Sequence, residues 1–411
     1  MAAVRVLDGG TGHELKLRGF GDAAFRHSFM AGLLANQKAP ELVEAVHTDF
    51  LLAGADMVTT NNFVCVEHQL RREGLEGELV ALTQASARCA ATAVERARGL
   101  LGAGDRRGER MGVVGSLPPL QTCYFTPDLA PASMAAQYGT IARALAPSCS
   151  VLLAETLCSG AEACAAASAA SATGRPVWVS FSLHDDLTAT LRGGEPLETA
   201  VAQLLCACPR TFPVPAVVLT LRARRALKLP RLEAVLLVRS QTLLICPLSV
   251  ASSHAHTAVS GQNCCATESI DAALPQLAKM VEGSGATIGA YGNIFQGTTS
   301  EWLSTATHVR SPHTRHPRHA DPRRGQGPRP YLGIWAGRCA CPLPHDLSEY
   351  ENPASETALT GEGVMAAAAY AQHGVRWQGN GASIVGGCCG TRPGHIAALA
   401  SALNPGAPAS I

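Results

Sequence analysis

Residues 40–63 read PELVEAVHTDFLLAGADMVTTNNF. The first part, 40–54, spaces its apolar residues at helical intervals. The second part, ADMVTTNNF at 55–63, is a short apolar run that ends in polar residues, the signature of a buried strand. The same exchange of helix for strand recurs along the chain. Eight strand-like runs stand out: VRVLD (4–8), ADMVTTNNF (55–63), MGVVGSL (111–117), VLLAETL (151–157), PVWVSFSL (176–183), AVSGQNCC (258–265), ATIGAYGN (286–293) and ASIVGGCC (382–389). Helix-like segments separate most of them, at 40–54, 77–99, 161–171, 195–207, 267–283 and 361–374, and Pro393 opens a last one. Eight strand–helix units predict a closed, parallel (β/α)8 TIM-type barrel, with an open doubly wound sheet as the alternative.

Composition agrees with a large globular core. Of 411 residues, 47% are hydrophobic and the net charge is +1, which excludes a disordered chain. The 40 Gly have no period and 25 Pro interrupt long helices, so collagen and coiled coil fail. No apolar run reaches the roughly 18 residues a membrane helix needs, and MAAVRVLDGG has no signal-peptide pattern. A cytoplasmic protein is expected, with neither membrane nor nucleic acid as partner. The 15 cysteines are odd in number in a large chain, so they do not read as a disulfide scaffold.

Charge is unevenly spread. Residues 210–255 and 303–346 together hold 14 of the 33 Lys and Arg but only 3 of the 32 Asp and Glu, so the rest of the chain is acidic. These two stretches read as loop insertions in a single domain, 1–404. The second, rich in Pro, Arg and His, has no hydrophobic period and reads as disordered. The first carries apolar runs such as AVVLTL between its arginines, enough for a strand and a short helix or for little order.

Active sites of such barrels lie where strands end. The polar residues gather there: Asp8 after the first strand, Asn61 after the second, Ser116 in the third, Glu155 in the fourth, Asn263 before a cysteine doublet, Asn293 after the seventh. Cys388 and Cys389 close the eighth, flanked by Gly386, Gly387 and Gly390 that permit a sharp turn. With Cys264 or Cys265 they supply three thiolates, a set that suits zinc and leaves a fourth position open. Buried thiols without metal are the plain alternative. His13, His27 and His47 read as surface or helix residues, and Trp302 and Trp377 as packing.

The pieces LDGGTGHEL, GADMVTTNNF, GSLPP, LLAETL, GQNCCA, AYGN and IVGGCCGTRPGHI resemble, in this order, the homocysteine S-methyltransferases. The resemblance covers roughly residues 4–209, 256–302 and 347–403. It implies a (β/α)8 barrel, and it implies zinc on Cys264, Cys388 and Cys389, with Cys265 a bystander. It also places Asp8 and Glu155 on the homocysteine amino group, with Asn61 and Ser116 as further contacts to the amino acid. The reaction implied is zinc-dependent transfer of a methyl group to homocysteine, giving methionine. S-Methylmethionine is the expected donor, with S-adenosylmethionine also usable. Betaine is the alternative, although the chain is poor in the aromatic residues that cage a quaternary ammonium. If the insertions displace a strand, the chain would instead be an inactive zinc-binding or interaction protein.

Overall fold

The computed structural model describes residues 4–20, 30–101, 105–184, 189–207, 216–220, 267–282, 284, 286–294 and 365–405. Eight strands form one sheet: β1 (Arg5–Val6), β2 (Met57–Thr59), β3 (Gly112–Leu117), β4 (Val151–Leu157), β5 (Val177–Ser182), β6 (Ala216–Thr220), β7 (Ile288–Gly292) and β8 (Ala382–Gly387). Every pairing is parallel, in the order β1-β8-β7-β6-β5-β4-β3-β2. The two end strands are joined as well. Asp56 N donates to Val6 O at 2.7 Å and Asp8 N to Met57 O at 3.1 Å, with a parallel bridge between Leu7 and Met57. The sheet therefore closes on itself as a (β/α)8 barrel, and the open-sheet alternative falls.

The described helices are α1 (Thr11–Leu17), α2 (Met30–Lys38), α3 (Pro40–Leu52), α4 (Glu67–Arg72), α5 (Leu79–Leu100), α6 (Arg107–Arg110), α7 (Pro131–Leu145), α8 (Gly160–Ser171), α9 (Leu197–Ala207), α10 (Thr267–Met280), α11 (Ala367–Gly379) and α12 (Pro393–Leu403). Local chemistry sets several starts. Pro40, Pro131 and Pro393 begin their helices, where a missing N–H is harmless. The Ser159 hydroxyl caps α8 by accepting from Glu162 N.

Strands buried on both faces explain the continuous apolar runs. Along them, side chains alternate between two cores. Leu7, Met57, Val114, Val151, Leu153, Trp178, Tyr291 and Ile384 fill the barrel interior. Their neighbours Val6, Val58, Val113, Leu152, Val179, Ala290 and Val385 face outward into a larger core shared with the helices. A period of two puts each strand's even and odd positions in different cores.

Seven strands fall within the runs expected of them, and the sixth does not. It is AVVLT at Ala216–Thr220, inside the stretch 210–255 set aside as an insertion. Its five residues, three of them β-branched, pair with five positions of β5, while the surrounding arginines govern the composition of the segment. Residues 258–265, read as that strand, lie outside the described residues, as do 303–346, Trp302, Cys264 and Cys265. Among the described residues no helix is long and apolar enough to cross a membrane.

One polar cluster ties α10 to α11 on the outside of the barrel. Asp271 accepts from Trp377 Nε1 at 2.7 Å and from Arg376 Nε at 3.0 Å, and it lies 3.0 Å from His373 Nδ1. Trp377 is fully buried, so its indole N–H has no access to water. Asp271→Ala is expected to cost about 1–3 kcal/mol, the cost of one buried donor left unpaired. Urea unfolding of the variant checks this; an unchanged midpoint would mean the cluster contributes nothing.

Candidate functional site

Asp8 follows β1 and is buried at the strand ends. Its Oδ2 accepts from Thr59 N and its Oδ1 from Thr59 Oγ1, both at 2.9 Å. The carboxylate is therefore held by the end of β2 and does not cap α1, whose N-cap Gly10 has no side-chain bond. Next to Thr59, the Thr60 hydroxyl accepts from Ser116 N at 2.9 Å and donates to Asn62 Oδ1 at 2.6 Å. Asn62 Nδ2 in turn donates to Ser116 O at 3.0 Å. This network locks the ends of β2 and β3 together.

Glu155 sits near the end of β4 and accepts a short hydrogen bond from the Ser116 hydroxyl. The strand is irregular at this point. Its register with β5 shifts between Ala154 and Leu157, and Thr156 adopts φ 54°, a left-handed conformation that costs a β-branched residue energy. The Thr156 hydroxyl bonds to Glu155 O at 2.8 Å. Such bulges re-aim side chains next to active sites.

The end of β8 packs directly on the turn after β1. Gly387 N donates to Asp8 O at 2.9 Å, and Gly10 N donates to Thr391 O at 2.9 Å. A Cβ on Gly9 or on Gly387 would collide with the Thr391 hydroxyl, so two backbones meet where only glycine fits. Gly390, at φ 82°, turns the chain back, with Thr391 N bonded to Cys388 O at 3.1 Å. Cys388 and Cys389 ride on this turn, both half-buried. From α11, the Tyr370 hydroxyl bonds to Gly386 O at 2.6 Å and to Gly292 O at 3.0 Å, supporting the turn from behind. Cys388 N bonds to Gly292 O at 3.0 Å.

Burial dominates the electrostatics. It raises Asp8 to a pKa of about 7, opposed by the Thr59 bonds and helped by the nearby charge of Glu155. It raises Glu155 to about 7, opposed by the Ser116 bond. Among the described residues no lysine or arginine pairs with either carboxylate. Two like-charged acids in one apolar mouth need an external cation to be ionised together.

The family model for homocysteine S-methyltransferases matches residues 5–219 and 241–403. The chain belongs to the homocysteine S-methyltransferase family. It matches no curated protein sequence. Solved structures of the homocysteine methyltransferase MmuM from Escherichia coli share its fold. The metallated form gives a TM-score of 0.60 at 20% identity, covering 97% of this chain and 96% of that one. The oxidised form gives 0.58 at 20% identity, covering 96% and 94%. The apo form gives 0.54 at 19% identity, covering 97% and 96%.

This methyltransferase therefore transfers a methyl group to homocysteine. Of the residues singled out in its sequence, Asp8, Ser116 and Glu155 converge at one end of the barrel, beside the turn that bears Cys388 and Cys389. Asn61 is partly engaged elsewhere: its amide nitrogen donates to Gly32 O at 2.7 Å and lies 3.4 Å from Asn36 Oδ1. That leaves its carbonyl oxygen as the group it can offer a substrate. Cys264 lies outside the described residues, and no group of three or more His, Cys, Asp or Glu suited to a metal occurs among those described.

The threonines that end the second strand, Thr59 among them, stand out in the sequence as polar strand-end residues, whereas two supporting residues do not. Thr391 acts through a hydroxyl after β8, and the only hint of Tyr370 is a lone aromatic in an alanine run. His47 was read as a surface or helix residue; it is in α3 but fully buried, behind Asp8.

A pH dependence follows from the paired acids. Below about pH 7 both carboxyls are largely neutral; as pH rises through that value they become anionic, which favours a cationic group at this mouth. Affinity for methionine, measured by calorimetry, is expected to rise roughly tenfold from pH 6 to pH 8, the scale of one pKa unit. Asp8→Asn should flatten the rise, and a flat wild-type profile would refute the assignment.

Proposed function

We propose that this enzyme moves a methyl group from a sulfonium donor, S-methylmethionine or S-adenosylmethionine, to the thiol of L-homocysteine, with zinc on Cys264, Cys388 and Cys389. The observation that carries this reading is the pair of buried acids, Asp8 and Glu155, with no cationic side chain paired to them among the described residues, beside a double-cysteine turn. A pocket of that kind suits a ligand with an ammonium at one end and a sulfur at the other.

Each residue then has a task. Asp8 and Glu155 receive the amino group, in a setting where apolar surroundings strengthen the attraction. Thr59 fixes the Asp8 carboxylate, and Ser116 orients Glu155. Cys388 and Cys389 are soft sulfur donors held on a rigid turn, a donor type that zinc favours over harder ions. Zinc bound there would act as a Lewis acid that lowers the pKa of the substrate thiol, so that it reacts as a thiolate at neutral pH. Tyr370 and Gly390 keep the turn in place. The thiolate attacks the methyl carbon of the sulfonium in line. A new S–CH3 bond forms, the old one breaks, and its electron pair returns to the donor sulfur as a neutral thioether. The thiol proton leaves to solvent. We place this chemistry in one barrel domain, 1–404, and read 303–346 as an insertion into it.

S-Methylmethionine is favoured over betaine because the chain has only 5% aromatic residues from which to build a quaternary-ammonium cage. The test is methionine formation from homocysteine by reduced protein, with each donor, with and without a zinc chelator. Turnover with S-methylmethionine is expected, lost with the chelator and lost in Cys388→Ser. Turnover with betaine alone would move the donor assignment. Absence of both turnover and zinc would refute the reading in favour of an inactive protein.

A further inference from the structure

His47 is the buried titratable group that the reaction above leaves unused. It projects from α3 and is fully buried, and neither ring nitrogen has a hydrogen-bond partner among the described residues. An imidazole so placed forfeits the hydrogen bonds it would make in water, a loss seldom left uncompensated. Burial alone pulls its pKa down to about 4, so the ring is neutral, with one nitrogen a donor. Its Nδ1 lies 4.0 Å from Asp8 Oδ2, about 1 Å beyond hydrogen-bond range.

The lone pairs of Asp8 show what that gap is for. Each carboxylate oxygen accepts about two bonds. Thr59 takes one place on each, through its N–H on Oδ2 and its hydroxyl on Oδ1. One place remains on each oxygen. A substrate ammonium approaching from the barrel mouth uses one of them. Beside Oδ2, 4.0 Å away, stands the uncommitted ring nitrogen of His47.

We propose that His47 is a positioning residue for Asp8, its Nδ1–H closing onto Oδ2 when a substrate ammonium engages the carboxylate. A third donor on the helix side balances the pull of the ammonium and holds the carboxylate square to it. A donor to the charged form also favours that form. The role is exerted through Asp8, so it acts on binding of the amino group and leaves methyl transfer itself untouched. The proposal rests on the reading of Asp8 as the ammonium acceptor, and its test separates the two.

The experiment is a double-mutant cycle on the reduced full-length protein with L-homocysteine as probe. His47→Phe keeps the ring volume without a donor, and His47→Asn places an amide nitrogen where Nδ1 stood. Homocysteine Kd is measured by calorimetry, together with KM and kcat. In His47→Phe, Kd and KM are expected to rise about tenfold, the scale of one hydrogen bond to a charged group, with kcat changed less than twofold. His47→Asn should recover most of the loss. In an Asp8→Asn background, His47→Phe should add nothing further. If Phe does not fold, His47→Leu, smaller and equally without a donor, takes its place. Unchanged homocysteine Kd in the donor-free variant would overturn the proposal. So would a loss that His47→Asn fails to recover, or one that adds in full to that of Asp8→Asn. If Asp8→Asn alone leaves homocysteine Kd unchanged, the reading of Asp8 fails, and the role of His47 fails with it.

Discussion

The first and last turns of the barrel are welded backbone to backbone. Gly387 N donates to Asp8 O, and Gly10 N donates to Thr391 O. Two residues almost the whole chain apart thereby become immediate neighbours. The weld works only because glycines stand at the points of closest approach. It extends the contact with β8 beyond β1, a strand of two residues that could not stand alone. It also puts a carboxylate and a pair of sulfurs on opposite lips of one seam. In the function proposed above the reaction uses that juxtaposition, so the contacts that close the barrel are also those that assemble the site.

The second constraint is electrostatic. Burying two acids at one mouth without a cation raises the energy of the ligand-free, ionised state. The fold offsets this with fixed donors: Thr59 on Asp8 and the Ser116 hydroxyl on Glu155. A third buried acid, Glu162, is likewise raised to about 7 by burial and held by fixed donors. Its Oε1 accepts from Leu120 N and from the Tyr138 hydroxyl, both at 2.9 Å, and so pins the loop after β3.

Much of this was legible in the sequence because it follows from periodicity. The alternation of Val113 with Val114, or of Leu152 with Leu153, is the alternation between two cores. Strand ends were legible too, since Asp8, Ser116 and Glu155 interrupt apolar runs where a barrel opens. The sixth strand was missed because AVVLT sits among arginines, and regional charge outweighed a five-residue local pattern. The pairing of cysteine with zinc came from family resemblance, and spacing alone left Cys264 and Cys265 equivalent. Tyr370, Thr391 and His47 were not legible as site residues. Each acts on a partner far away in sequence, and nothing in its own neighbourhood announces that partner.

Tyr370 has one more implication. Its hydroxyl clamps Gly292 and Gly386, partners 78 and 16 positions away. The clamp fixes where α11 must return, whatever runs between β7 and that helix. Closing a flexible connection costs more only as the logarithm of its length, about 0.6 kcal/mol for each doubling. The barrel is thus built to accept length variation at this junction, and foreign sequence spliced there would burden the catalytic end of the molecule very little.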